Sequence, residues 1–148
     1  MKPSSAVQVL LADDDVDDCL LFEEVLAEIP ITTSLSVVNN GEQLLKRLHA
    51  GEELPEVLFL DLNMPRINGF ECLQEIMQND RLKDIPIIVI STSFDPATVQ
   101  HLFSKGVRYY ICKPARFEHL KSVIQHGLSL IVKEQQGEIT LHHIVLNP

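Results

Sequence analysis

Tryptophan is absent from this 148-residue chain, and aromatic residues of all kinds make up only 5% of it. A protein so poor in rings offers no platform for stacking bases, which argues against a single-strand nucleic-acid binder. Basic residues are scarce too: 12 Lys and Arg stand against 21 Asp and Glu, a net charge of -9. Because nucleic acids and anionic membranes attract basic surfaces, this balance argues against nonspecific binding to either.

Long apolar runs and paired cysteines are also missing. No apolar stretch approaches the roughly 20 residues of a membrane-spanning helix, and residues 1–5 lead into a predicted strand, not into a signal-peptide core. The three cysteines, Cys19, Cys72 and Cys112, are widely spaced and form no CxxC pair. These features predict reduced thiols in a cytoplasmic protein that has no membrane segment.

Five short apolar runs, rich in Val, Ile and Leu, alternate with segments of helical periodicity. Strands that helices cover on both faces have this composition. The alternation predicts one α/β domain with a doubly wound, five-stranded parallel sheet and right-handed crossovers. The predicted strands are residues 7–12, 35–38, 57–61, 87–91 and 108–112.

Residues that begin and end helices lie between these strands. Asp15 and Asp95 are predicted N-caps, and Asp95 is followed by a proline suited to the first helical position. Asn40 and Gln43 resemble a capping box, and Gly106 suits the position after a helix end. In residues 134–148 apolar and polar residues alternate, which favours a short strand about as much as a loosely ordered tail.

Polar residues stand at the ends of four apolar runs, where open α/β sheets place their chemistry. The ends of neighbouring parallel strands would bring several carboxylates close together. Two carboxylates ~4 Å apart repel each other by about 1 kcal/mol in water, and by several times more near a protein surface. A hard divalent cation such as Mg²⁺ relieves that repulsion, and a lysine nearby would add an anion site for a phosphoryl group. The residues are Asp13, Asp14, Asp61, Ser91, Thr92 and Lys113.

The remaining acids of the first cluster have a simpler interpretation. Asp15, Asp17 and Asp18 precede or begin a predicted helix, where capping and the helix dipole favour negative charge. We therefore assign them to the helix start and not to the candidate site.

Taken in order, these motifs resemble the receiver domain of two-component response regulators, of the stand-alone type. The resemblance rests on the acidic pair after strand one, Asp-Leu-Asn-Met-Pro-Arg-Ile-Asn-Gly-Phe starting at Asp61, a hydroxyl residue after strand four and Lys-Pro after strand five. It covers about residues 7–131. It implies a flavodoxin-like strand order 2-1-3-4-5, a receiver domain over residues 1–133 and a tail over residues 134–148.

The resemblance also implies a metal site and a phosphorylation site. Asp61 would accept a phosphoryl group and form an aspartyl phosphate. Asp13, Asp14 and Asp61 would bind Mg²⁺ together with the backbone carbonyl of Asn63.

A second group of residues would bind and sense the phosphoryl group. Ser91, Thr92 and Lys113 would contact it, with the Lys113–Pro114 peptide cis, and Tyr110 would be an aromatic switch that rotates inward. The implied donor is a sensor histidine kinase or a histidine phosphotransfer protein, and the output is contact with a downstream protein. The face of helix four, strand five and helix five would carry that output and is a candidate homodimer surface.

Three other functions are compatible with parts of the pattern. A haloacid-dehalogenase-type phosphatase needs an aspartate two positions after its nucleophile, where this chain has Asn63. A flavodoxin-like electron carrier needs a phosphate loop after strand one, where Asp13, Asp14 and Asp15 would repel a phosphate. A receiver-like scaffold that binds partners without being phosphorylated remains the alternative.

Overall fold

The computed structural model describes residues 6–51, 53–64, 66–137 and 144–146. Strands and helices alternate regularly along the chain, as the sequence predicts. The elements are β1 (Val7–Ala12), α1 (Val16–Glu28), β2 (Thr33–Val38), α2 (Gly41–Ala50), β3 (Val57–Leu60), α3 (Gly69–Met77), β4 (Ile87–Ser91), α4 (Pro96–Ser104), β5 (Tyr109–Cys112), α5 (Phe117–Gln135) and β6 (Ile144–Leu146).

All strand pairs of the sheet are parallel, and the order is β2-β1-β3-β4-β5-β6. The predicted order of the first five strands is confirmed. The predicted number of five is wrong, because β6 pairs with β5 and extends the sheet. Leu146 of β6 is 1% exposed and lies against α5 where Gly127 leaves room for its side chain. Burial of this leucine explains why so short a strand joins the sheet.

The alternation that suggested a strand in the tail centres on Ile139 and Leu141, which lie outside the described residues. The predicted domain boundary at residue 133 stays a prediction, and α5 continues past it to Gln135. No helix within the described part of the chain is both long and apolar enough to cross a membrane.

Two hydrophobic cores lie on opposite faces of the sheet. Side chains of a strand alternate between faces, and β3 shows it: Leu58 and Leu60 belong to one core, whereas Val57 and Phe59 belong to the other. Helices α2, α3 and α4 cover the first face, and α1 and α5 cover the second. All four β3 side chains are 0% exposed. This double burial is the reason that the strand is apolar at every position.

The helix starts follow the predicted caps. The side chains of Asp15, Asn40 and Asp95 each accept the backbone N–H three residues on, an interaction worth about 1 kcal/mol. The Asn40 capping box is only half formed, since Gln43 accepts the N–H of Asn39 instead of that of Asn40. These caps set where the loops after β1, β2 and β4 end.

Candidate functional site

The acidic residues predicted at the strand ends lie together at the carboxyl edge of the sheet. Backbone hydrogen bonds hold two of them: the Asp13 N–H donates to the Val38 carbonyl at 3.1 Å, and the Asp61 N–H donates to the Ala12 carbonyl at 3.0 Å. Each bond continues the strand pairing one residue past the strand. The backbone of Asp13 and that of Asp61 are therefore held by the hydrogen bonding of the central sheet.

Asp13, Asp14 and Asp61 form a three-carboxylate cluster in which one oxygen from each lies within 4.8 Å of the others. Asp13 is buried at 2% exposure, Asp61 is half-buried and Asp14 is exposed. Carboxylate oxygens are the ligands that Mg²⁺ and Mn²⁺ prefer, so this donor set fits a hard divalent cation. The predicted fourth ligand, the carbonyl of Asn63, stays a prediction; the N–H of Asn63 donates to the Asp61 carboxylate at 3.1 Å.

Burial disfavours the ionised form of both inner carboxylates. It raises the pKa of Asp13 from 3.8 to about 6, against the lowering effects of the Asp15 N–H and of Lys113. It also raises the pKa of Asp61, although the Asn63 N–H and Lys113 act in the opposite direction. A bound cation would favour the ionised forms. The cluster is thus a place where added positive charge is stabilising.

The pKa of Asp13 predicts how stability depends on pH in the metal-free protein. Because the folded-state pKa lies above the unfolded-state value of 3.8, the folded protein holds this proton more tightly. Lowering the pH through about 6 should therefore stabilise the fold, by about 1.4 kcal/mol between about pH 7.5 and about pH 5.

Urea unfolding of wild type and Asp13→Asn, with a chelator present, measures this effect. The difference in unfolding free energy between the two proteins should shift by that amount across the same pH range. A difference that stays constant with pH would contradict the burial of an ionisable Asp13.

Lys113 reaches the site but pairs with an unpredicted partner. Its ammonium lies 2.8 Å from the Asp18 carboxylate and 3.8 Å from that of Asp13. Among the described residues, its ion pairs within 4.0 Å do not include Asp61. The interpretation of Asp18 as only a helix-start acid was incomplete. The sequence feature that could have indicated a role for Asp18 at the site is its position one helical turn after Asp14 and Asp15, at the same strand end.

Ser91 and Tyr110 are linked through Ser93, which the sequence did not single out. The Ser91 hydroxyl is 3.2 Å from both the hydroxyl and the N–H of Ser93. The Tyr110 hydroxyl donates to the Ser93 carbonyl, and its ring packs edge-on against Phe94 at 6.2 Å. Tyr110 is 1% exposed, so it lies in an inward position. Thr92, by contrast, is exposed beside the site.

Two backbone features shape the loops around the cluster. Gly69 lies so close to the Asp61 loop that an added Cβ would be 2.6 Å from the Leu62 Cα and 2.8 Å from the Asp61 carbonyl oxygen. A glycine is therefore required where α3 begins. The Lys113–Pro114 peptide is trans, since no cis bond occurs in the described residues. The expectation of a cis bond was wrong for this structure, and trans is the intrinsically favoured form.

A pocket of 370 Å³ lies beside the cluster, between α1 and the start of α5. Its lining combines apolar core side chains with polar groups of the site. The lining includes Leu11, Asp13, Asp18, Phe22, Ile90, Thr92, Lys113, Phe117 and Leu120.

Known proteins are similar to this chain in sequence and in fold. Residues 9–125 match the family model described as response regulator receiver domain. Response regulator Rcp1 of Synechocystis sp. is 32% identical over 122 residues, which cover 79% of this chain and 83% of Rcp1. The probable methanogenesis regulatory protein FilR2 of Methanothrix harundinacea is 31% identical over 121 residues, which cover 79% of this chain and 78% of FilR2.

Solved structures agree with the sequence relatives. The phosphorylated cyanobacterial phytochrome response regulator RcpA has a TM-score of 0.78 at 28% identity, covering 93% of this chain and 99% of RcpA. The Mn²⁺-bound form of response regulator Rcp1 has a TM-score of 0.73 at 30% identity, covering 91% and 99%. The chain therefore belongs to the response regulator receiver domain family, the signalling domains of two-component systems.

Proposed function

We propose that this receiver domain accepts a phosphoryl group on Asp61 from a histidine kinase or a histidine phosphotransfer protein, in a reaction that depends on Mg²⁺. One observation carries the proposal. A half-buried aspartate at a strand end lies within 4.8 Å of two further carboxylates, and a lysine ammonium contacts the same cluster through Asp13.

The reaction moves the phosphoryl group between two residues. A carboxylate oxygen of Asp61 attacks phosphorus, the bond from phosphorus to the donor's imidazole nitrogen breaks, and the electron pair stays on that nitrogen. The product is an aspartyl phosphate. Water later attacks the same phosphorus, which releases inorganic phosphate and restores the carboxylate.

The surrounding residues supply charge and position. Asp13, Asp14, Asp61 and the Asn63 carbonyl are the proposed ligands of Mg²⁺, which when bound supplies positive charge next to the phosphoryl oxygens. Lys113 is the proposed fixed cation on the other side of these oxygens.

Two hydroxyl residues complete the proposed phosphoryl site. The Ser91 hydroxyl, which now contacts Ser93, would donate to a phosphoryl oxygen instead. Thr92 stands exposed at the rim, where it would limit access to the acyl phosphate.

Phosphorylation would act on partner binding through Ser91 and Tyr110. Drawing the Ser91 hydroxyl toward Asp61 takes it away from Ser93, whose carbonyl accepts the Tyr110 hydroxyl. We propose that the inward position of Tyr110 is then favoured, and that the surface of α4, β5 and α5 changes with it. This is a shift in population without a new fold. We propose this surface for contact with the downstream protein and for homodimer formation.

We also propose a cytoplasmic location, and the state of the thiols supports it. Cys19, Cys72 and Cys112 are all free, and burial raises the pKa of Cys19 and of Cys72 to about 11. Such thiols stay protonated and unreactive at neutral pH. This supports a cytoplasmic location.

Incubation with a small acyl-phosphate donor and Mg²⁺ tests the proposed function. Intact mass spectrometry of the wild type should show the gain of one phosphoryl group, and excess chelator should abolish the gain because the carboxylate cluster then lacks its counter-charge. Mild hydroxylamine should remove the group, as it does for an acyl phosphate and not for a phosphoserine. If the wild type gains no mass, the protein is a scaffold that binds partners without phosphorylation.

A further inference from the structure

Asp18 occupies the third position of α1, where an acidic side chain ordinarily completes a capping box. Helix α3 shows that arrangement: Glu71 accepts the backbone N–H of its N-cap residue, Asn68, at 3.1 Å. In α1 the corresponding N–H, that of Asp15, donates instead to the Asp13 carboxylate at 2.9 Å. The Asp18 side chain therefore makes no capping-box hydrogen bond, although it remains an acid in the first turn of α1.

The Asp18 carboxylate contacts Lys113, the lysine that also lies beside the carboxylate of Asp13. It lies 2.8 Å from the Lys113 ammonium, whereas the Asp13 carboxylate is 3.8 Å away. The lysine side chain is 16% exposed and that of Asp18 is 35% exposed, so water screens this pair only partly. Of the two carboxylates that lie within 4.0 Å of Lys113 in the described part of the chain, that of Asp18 is thus the nearer.

We propose that Asp18 is a positioning residue that holds Lys113 away from the acceptor Asp61 and competes with the phosphoryl group for its ammonium. This inference rests on the proposed function of Asp61. Transfer of a phosphoryl group to Asp61 adds negative charge beside Lys113. The lysine can pair fully with that new charge only if its contact with Asp18 weakens. The carboxylate thereby limits how strongly the site retains a phosphoryl group.

Beryllofluoride, which mimics a phosphoryl group on a carboxylate, measures this competition. In saturating Mg²⁺, Asp18→Asn should bind beryllofluoride about fivefold more tightly than the wild type, since a partly exposed ion pair contributes up to about 1 kcal/mol. Asp18→Glu keeps the charge and should bind within about twofold of the wild type. Tighter binding cannot come from partial unfolding, because unfolding weakens binding.

Asp17→Asn is the matched control. Asp17 is an exposed acid in the same helical turn, and its side chain makes no hydrogen bond or ion pair with another described residue. Its replacement removes the same charge from the helix start and should leave the affinity unchanged. Equal or weaker binding by Asp18→Asn, or an equal gain in Asp17→Asn, would overturn the proposal. If the wild type binds no beryllofluoride, the proposed function of Asp61 fails instead.

Discussion

Asparagine in place of Asp61 should reduce phosphate incorporation from an acyl-phosphate donor to background, as measured by intact mass in Mg²⁺. The amide has nearly the shape of the carboxylate but carries no negative charge and is a poor nucleophile toward phosphorus. Folding should survive the change. Burial raises the pKa of Asp61, so the fold already disfavours its charge, and the neutral amide removes that penalty.

Asp15→Asn provides the matched control for this experiment. Asp15 directly follows Asp13 and Asp14, which cluster with Asp61. Its side chain caps α1 by accepting the Asp18 N–H at 3.0 Å. Asparagine caps helices as well as aspartate does, so this variant should fold normally and incorporate phosphate like the wild type. Undiminished labelling of Asp61→Asn would show that another residue is the acceptor, and peptide mapping would then identify it.

Alanine in place of Phe59 should lower the free energy of unfolding by about 3–5 kcal/mol. Phe59 lies in the central strand β3, is 0% exposed and packs edge-on against Phe22, with ring centroids 4.9 Å apart. Removing its ring deletes buried apolar contacts and leaves a cavity between the sheet and α1. A loss of this size is a large share of the roughly 5–15 kcal/mol that stabilises a typical domain.

Denaturant unfolding of Phe59→Ala and of Phe70→Ala would isolate the contribution of burial. Phe70 lies on α3 and is 40% exposed, so the same chemical change there should alter the unfolding free energy by about 0.5 kcal/mol or less. Comparable losses in the two variants would contradict the central position of β3. Because Phe59 stands two residues before Asp61, the first variant also tests how far the site depends on the core beneath it.

The strands and most helix starts were predictable because they depend on local rules. Consecutive apolar residues mark a strand that is buried on both faces, and β3 meets that condition at all four positions. Asp15 and Asp95 were recognisable as N-caps because the side chain bonds to backbone only three residues away. The convergence of Asp13, Asp14 and Asp61 followed from the parallel sheet, whose strands all end at one edge.

Three features depend on contacts between residues far apart in the chain, and local rules do not specify such contacts. Lys113 and Asp18 are 95 residues apart, and their pairing depends on how α1 lies beside the loop after β5. Likewise β6 joins the sheet because α5 leaves room at Gly127 for Leu146. The position of Tyr110 depends on a carbonyl of the loop after β4.

The order of elements and the chemistry at the strand ends were therefore already present in the amino-acid sequence, since burial periodicity and capping act over a few residues. Tertiary structure alone decided which of the clustered charges are buried and which are paired. It left Asp14 exposed, buried Asp13 at 2% exposure and turned Lys113 toward Asp18. The physical reason is that desolvation depends on burial and Coulomb energy depends on the distance between charges. Both are set only when the helices and strands pack together.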